Sequence, residues 1–439
     1  MISSNPATRT SMNSTPPSAK FSMSRQSTHS PMRIRRHWYR SMGAETRCST
    51  EAASSAHRHR ATRRNSSKRS EVPMPTYPTT PIDHPSAWTA EDLRRDRSWV
   101  IPLTGNDLDE LASGLEAIKT AGLGPIGFDR KDFPLGRFTD TLTHVADEIE
   151  HGRGIVLFKG LNIEDYTLDE LRTIYWGMTL YLGEMGYQNA AGDLLGEVID
   201  RGFDRRNNNV RGYTTAGQQR YHCDQLDAVG LLCVHPAKSG GESRLASSIA
   251  LFNHILEHHP DYLDLLCEGF HYDLRGEGVT GERDEVTFNK IPVFSWYDGR
   301  MSCRYNGKTI QDGMRKAGAP LNDDEVAIVE YVREIADTDT FRYDMKFEAG
   351  DIQYLSNYGV LHSRTGFEDW PDENRRRRLF RIWFNMHNGR KLDPVFADKN
   401  NTGPRGGIKP IEGAGYWADE ALSKQKGTEA VRADGPYVD

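Results

Sequence analysis

Residues Tyr221, His222, Cys223 and Asp224 place an imidazole and a carboxylate one residue apart. In an extended segment, side chains two residues apart point to the same face, so both groups can reach one cation. A second His delivered from a distant strand would complete a set of two His and one carboxylate, which leaves open positions on a non-heme Fe(II). His-x-Asp is a weak sign alone, because the chain has it three times: His222/Asp224, His259/Asp261 and His271/Asp273. His259, Pro260 and Asp261 lie between two helical patterns, where Pro and Asp suit a helix start. His271/Asp273 follows Gly269 and Phe270 in a strand-like stretch and reads as a polar strand edge. His222/Asp224 is set apart by its sequel: an apolar run of strand length from Val229 to Val234, then Pro236, then Gly240, Gly241, Glu242 and Ser243. Cys223 would face away from the two candidate ligands and is read as a packing residue.

Far downstream stand Asn357, His362 and Arg364, followed by four consecutive arginines at 375–378 and then Leu379, Phe380, Arg381, Ile382, Trp383 and Phe384. On a regular strand Arg377, Leu379, Arg381 and Trp383 share one face, and Arg378, Phe380, Ile382 and Phe384 share the other. An Arg-rich strand on the surface would need only solvent. The apolar second face argues instead for a strand inside the protein. An Arg in a partly buried interior needs an anionic partner, and a carboxylate held by the guanidinium fork is the natural one. Asn357 either shapes the ligand loop or holds a turn.

Taken in order, these motifs resemble the TauD/TfdA family of Fe(II)- and 2-oxoglutarate-dependent dioxygenases, with which clavaminate-synthase-like enzymes are grouped. The likeness spans roughly residues 130–388, most of the ordered chain. It implies an α+β fold with a double-stranded β-helix, a jelly roll of two facing sheets, and helices packed outside. It implies that His222, Asp224 and His362 hold Fe(II), that the keto acid group of the cosubstrate 2-oxoglutarate takes two further positions, and that O2 takes the last. Ser243, after the two glycines, and Arg377, 15 residues beyond His362, match the places that grip the far carboxylate of 2-oxoglutarate. The register within 375–378 is open by one or two residues. Arg381 matches a second Arg that contacts substrate or the chelating end of 2-oxoglutarate. The implied reaction hydroxylates or oxidatively cleaves a small molecule and releases succinate and CO2. A carboxylate at Asp224 favours oxygenation over halogenation, since halogenating relatives keep a small residue there. Two other classes stay open: a non-catalytic metal- or ligand-binding jelly roll, and a nucleic-acid-directed dioxygenase that uses the basic N-terminal segment. The substrate is not legible, although Arg381 points to an anionic or polar group, and neither is the oligomeric state.

The elements that must position these residues are partly legible. The 439-residue chain suffices for one large domain or two ordinary ones. No apolar run approaches the ~20 residues of a membrane span, and mean hydropathy is -0.68. Five cysteines, an odd number without CxxC spacing, argue against a disulfide framework and for a reducing compartment. Residues 1–70 hold fourteen Lys/Arg against Glu45 and Glu51 alone, so a net charge of -6 overall leaves an acidic body. That body argues against a broad nucleic-acid surface. Residues 1–73, rich in Ser and Arg, are expected to be a disordered extension: an upstream tail, a mitochondrial transit peptide or a basic arm. Cytoplasmic placement is expected, or mitochondrial if the segment is a transit peptide. One catalytic domain is expected over 74–395, then a polar C-terminal tail over 396–439.

Within that domain the periodicity predicts helices at 106–120, 138–149, 167–182, 248–258, 261–267 and 322–336. Strands are predicted at 154–160, 197–200, 229–234, 341–347 and 352–355, with a hairpin around Tyr297, Asp298 and Gly299. Residues 201–220 read as a loop at the mouth of the site.

Overall fold

The period-two alternation of the strands sorts their side chains into separate apolar clusters. Along Arg378–Met386, the side chains of Phe380, Ile382, Phe384 and Met386 join one cluster. Leu379 and Trp383 join another, as the predicted faces require. The computed structural model describes residues 77–202 and 212–411, all in one unit, Glu71–Asp439. The expected extension at 1–73 and the tail from 412 lie outside the described residues.

Among the described residues two main sheets form. The larger has the strand order Val100–Pro102, Ile155–Lys159, Ile352–Ser356, Ala228–His235, Arg378–Met386, Gly183–Gly186, with Gly196–Val198 also paired to Arg378–Met386. Its pairs are antiparallel except the first, which is parallel. The smaller sheet runs Tyr343–Met345, Ser243–Ser247, Val360–Arg364, Gln219–His222, antiparallel throughout.

The clusters show how these sheets are layered. Helices Gly105–Thr120, Phe138–Glu150 and Leu168–Thr179 pack on the larger sheet through Leu111, Leu142, Ile174, Phe158 and Phe380. Helices Ser248–His258, Tyr262–Glu268 and Asp323–Ala336 pack on the smaller sheet through Ile255, Leu263, Val332, Tyr221 and Leu361. Between the sheets Leu157, Val229, Leu379 and Trp383 meet Leu245, Tyr343 and Val360. The chain is therefore α+β: two facing sheets with helices on both outer sides. No helix among the described residues is long and apolar enough to cross a membrane.

Local chemistry sets the boundaries. Capping boxes open three of the six helices just named, with Thr104 and Asp107, Thr167 and Glu170, and Asn322 and Glu325 as reciprocal pairs. The hairpin Phe294–Tyr297 to Arg300–Cys303 turns through Asp298 (φ 50°) and Gly299 (φ 76°), the double left-handed step of a two-residue turn. Strand Gly183–Gly186 is an element that periodicity does not reveal. A Cβ on Gly183 would lie 2.1 Å from the Asn385 carbonyl oxygen, so close backbone approach fixes this residue type. Helix Gly307–Lys316, capped by Asn306, also has no counterpart in the predicted pattern. The first part of the expected polar tail, residues 396–411, packs on the body. Phe396, Lys399, Asn400 and Ile408 are buried, because this segment folds back onto the body through hydrogen bonds described below.

Gly230 lies in the central strand Ala228–His235, where a Cβ would sit 2.3 Å from the Tyr175 hydroxyl and 2.8 Å from the Tyr354 ring. Both tyrosines are fully buried. Gly230→Ala should therefore destabilise the fold by about 1–3 kcal/mol through overpacking, read as a lower urea midpoint. An unchanged midpoint would show that the sheet and the helix behind it are less tightly packed than described.

Candidate active site

His222 ends the strand Gln219–His222, and its Cα partner across the antiparallel pair is His362 on Val360–Arg364. Their neighbours Tyr221 and Leu361 join the outer helix-covered cluster, so alternation turns both imidazoles toward the space between the sheets. The ring centroids are 4.4 Å apart. Asp224, just beyond the strand, brings Oδ1 to 3.7 Å from His222 Nε2 and Oδ2 to 3.5 Å from His362 Nε2. One ligand atom from each of the three lies within 4.8 Å of the others, and this is the group of three that could hold a metal ion among the described residues.

The surroundings orient each donor. His222 Nδ1 lies 2.9 Å from the Arg220 carbonyl oxygen, which accepts a hydrogen bond from Nδ1–H and so leaves the Nε2 lone pair facing Asp224. Trp383 Nε1 donates to Asp224 Oδ2 at 2.8 Å. The Asp224 backbone N–H donates to Asn357 Oδ1 at 3.3 Å. Burial, reinforced by the neighbouring His362, pushes His222 down to about 4, so its imidazole is neutral at physiological pH. Burial alone would raise the Asp224 carboxyl. The Arg381 charge and the two imidazoles outweigh it and hold that group well below the usual carboxylate range. A neutral imidazole and an ionised carboxylate are the forms that bind a cation. Cys223 packs against the outer cluster, away from this point.

The other two His-x-Asp pairs do other things. Asp261 stands at the N-cap of Tyr262–Glu268 and His259 at the C-cap of the preceding helix. His271 Nδ1 pairs with the Thr287 carbonyl at 2.8 Å, and Asp273 binds Lys316 Nζ at 2.8 Å.

Ser243, Arg377 and Arg381 are buried and line one cavity with the triad. Of the four consecutive arginines, Arg377 is the one that lines it. Arg375 stacks on the Trp370 ring at 3.9 Å, Arg376 reaches Glu373, and Arg378 starts the strand at a register shift opposite His235 and Cys233. The Arg377 backbone N–H is held by Asp369 Oδ1 at 2.6 Å, while its Nη1 is buried with no hydrogen-bond partner. Burial lowers this guanidinium to about 10, against the opposing pull of Cys233 and Asp369. A buried guanidinium nitrogen without an acceptor fits an anion that enters the cavity. Gly241 (φ +76°) keeps the adjacent turn close: a Cβ there would lie 3.3 Å from Arg377 Nε.

Arg381 donates from Nε to Gln188 Oε1 at 2.9 Å, and its guanidinium lies 4.2 Å from the centroid of the Trp383 ring. Three residues of this site carry roles that sequence reasoning did not assign. Trp383 shares the predicted face with Arg377 and Arg381, so parity alone could have marked it. Gln188 follows the unpredicted strand Gly183–Gly186 and gave no sign. Arg364, also lining the cavity, donates from Nη2 to the Thr215 carbonyl at 2.8 Å and anchors the segment that leads into the His222 strand.

The family model for "Taurine catabolism dioxygenase TauD, TfdA family" matches residues 119–383 of this chain. The FR-33289 synthase of Streptomyces rubellomurinus is 30% identical over 334 residues, 75% of this chain and 97% of that protein. A taurine hydroxylase-like protein of Stachybotrys chartarum, SAT17, is 26% identical over 307 residues, 67% of this chain and 77% of its own length. The solved structure of asparagine oxygenase in complex with Fe(II), 2S,3S-3-hydroxyasparagine and succinate shares the fold. Its TM-score is 0.53 at 13% identity, over 66% of this chain and 93% of that one. The chain belongs to the TauD/TfdA family. It is an oxidoreductase of the dioxygenase class, and Fe(II), 2-oxoglutarate and O2 are the reagents of that chemistry.

Trp383→Phe keeps an aromatic ring beneath Arg381 and removes the donor to Asp224. Loss of such an outer hydrogen bond to a ligand weakens metal binding about 10–100-fold. Anaerobic Fe(II) titration should show that drop with little change in Tm. Wild-type affinity in the variant would mean that the indole contact does not orient the carboxylate.

Proposed function

We propose that this chain is an Fe(II)- and 2-oxoglutarate-dependent dioxygenase that hydroxylates or oxidatively cleaves a small molecule, with release of succinate and CO2. The observation that carries this reading is the meeting of His222, Asp224 and His362 at one point, with the unsatisfied Arg377 Nη1 in the same cavity. In this reading the two facing sheets are a double-stranded β-helix whose interior is the site. His222 and His362 would offer their Nε2 atoms and Asp224 one carboxylate oxygen, a donor set suited to holding Fe(II). Bound Fe(II) supplies the activation of O2 and the oxidising power.

The chain's own residues place the partners. Arg377, with the Ser243 hydroxyl, receives the far carboxylate of 2-oxoglutarate, since a buried guanidinium needs an anion and a hydroxyl can donate beside it. That grip fixes which end of the diacid faces His222 and His362. Arg381, tethered by Gln188 and stacked on Trp383, stands near Asp224. It serves the substrate or the chelating end of 2-oxoglutarate. Val198, Leu231, Phe347 and Leu379 give the cavity apolar walls, which exclude water from the reacting centre. The substrate is a small molecule that this walled space admits, and an anionic group on it would suit Arg381.

Incubation of wild-type protein with Fe(II), O2, 2-oxoglutarate and candidate substrates should convert 2-oxoglutarate to succinate, with His362→Ala inactive. Arg377→Met should raise KM for 2-oxoglutarate at least about 30-fold, the equivalent of the roughly 2 kcal/mol lower bound for truncating one partner of a buried charge pair. A wild-type KM in that variant would remove Arg377 from the cosubstrate site. Failure of the wild-type protein to make succinate would remove the enzyme reading.

A further inference from the structure

We infer that the C-terminal segment 393–411 is a working part of the metal site, in which Lys399 is a positioning residue that clamps the loop carrying Asp224. The inference rests on the reading that Asp224 binds Fe(II).

The loop 223–227 joins strand Gln219–His222 to strand Ala228–His235 and has no helix or strand hydrogen bonds of its own. Its polar groups are held from outside instead. The Asp224 N–H donates to Asn357 Oδ1, the Leu226 carbonyl accepts from Asn357 Nδ2 at 3.0 Å, and the Asp227 carbonyl accepts from the Asn357 N–H at 2.9 Å. The Asp227 carboxylate accepts from the Tyr358 hydroxyl at 2.6 Å, the Met386 N–H at 3.1 Å and Arg405 Nη1 at 2.6 Å. The carbonyl of Gln225, the residue next to Asp224, accepts from Lys399 Nζ at 3.0 Å. Asn357 and Tyr358 belong to the body. Lys399 and Arg405 come from the segment beyond residue 383, where the family match ends.

Lys399 is an odd residue for a site that only needs filling. It is 5% exposed, with its ammonium 4.4 Å from the centroid of the Tyr358 ring and 5.7 Å from that of Phe396. Arg304 lies close enough to donate to the Lys399 carbonyl at 3.2 Å, so a second cation is adjacent. An apolar side chain of similar length would pack there without the cost of burying an amine among cations. Burial indeed pushes the Lys399 amine down to about 7. What a Met or Leu could not supply is a cation facing the Asp227 carboxylate and the Tyr358 ring, and the hydrogen bond to the Gln225 carbonyl.

The same segment also reaches the arginine side of the cavity. Ile408 forms a β-bridge with Tyr187, and the Ile411 N–H donates to the Ala190 carbonyl at 2.9 Å. Between those two contacts lies Gln188, which accepts from Arg381 Nε. One stretch of chain thus braces the loop of the metal carboxylate and the support of the second arginine. Lys399 touches neither metal nor substrate; it acts through the backbone of the residue that follows Asp224.

The test compares wild type, Lys399→Met and Phe396→Leu by anaerobic Fe(II) titration with 2-oxoglutarate, reading the metal-to-ligand charge-transfer band, alongside Tm. Lys399→Met should bind Fe(II) about 10-fold or more weakly, the scale of other outer-sphere losses, at a Tm close to wild type. Phe396→Leu loosens the same segment without removing a donor, and should lower Tm while leaving Fe(II) affinity intact. Lys399→Gln, with a shorter uncharged donor, should fall between wild type and Lys399→Met, and it is the deciding variant if Lys399→Met does not fold. Wild-type affinity in Lys399→Met or Lys399→Gln would overturn the inference. So would a loss of affinity in Phe396→Leu that matches the loss in the Lys399 variants, because the role would then be structural alone. Wild-type protein that gives no band would overturn the Fe(II) reading itself, and the clamp with it.

Discussion

An ionised carboxylate sits between two sheets, and the local structure is arranged around keeping it there. Moving a charged carboxyl out of water is costly unless partners surround it. Asp224 has the two imidazoles beside it, the Trp383 indole N–H on Oδ2, and the Arg381 charge near enough to hold it ionised. Those partners come from three strands, Gln219–His222 and Val360–Arg364 of one sheet and Arg378–Met386 of the other, so the carboxylate requires the two sheets to face one another in a particular register. A one-residue slip of Gln219–His222 against Val360–Arg364 would turn one imidazole outward into the helix-packed cluster and bring Tyr221 or Leu361 in.

The two-sheet layout divides the labour. Residues that face the helices are apolar and uniform, such as Phe380, Ile382 and Phe384 on the last strand. Residues that face the other sheet mix apolar walls with polar groups, as in Arg377, Leu379, Arg381 and Trp383. The outer layers can then supply stability while the inner layer is left to hold charge. The strand Arg378–Met386 shows both tasks in one element.

The parts of this arrangement governed by local chemistry were legible in the sequence. Helix starts at Thr104, Thr167 and Asn322 follow from capping pairs three residues apart, and the faces of the arginine strand follow from parity. The parts governed by long-range contact were not. Gly183–Gly186 carries no strand composition, because Gly183 answers to the Asn385 backbone and Gly186 to the Leu226 side chain rather than to propensity. Gln188 beyond it was therefore invisible as the partner of Arg381. Arg377 follows from that same parity, since it lines the cavity with Leu379 and Arg381, although the pairing shift between Arg378 and Leu379 is not encoded by any periodicity. The stretch after residue 396 looked like a polar tail from its glycine content at 403–407 and 412–415, yet it carries Lys399, Asn400 and Asn401. They are buried all the same, since they donate to carbonyls and a carboxylate of the body.

The most direct measurement of the central claim is the position of iron. Crystals grown anaerobically with Fe(II) and measured at the iron absorption edge should show one strong anomalous peak within coordination distance of His222 Nε2, His362 Nε2 and an Asp224 carboxylate oxygen. A peak elsewhere, or one that touches only one of the three side chains, would contradict the account.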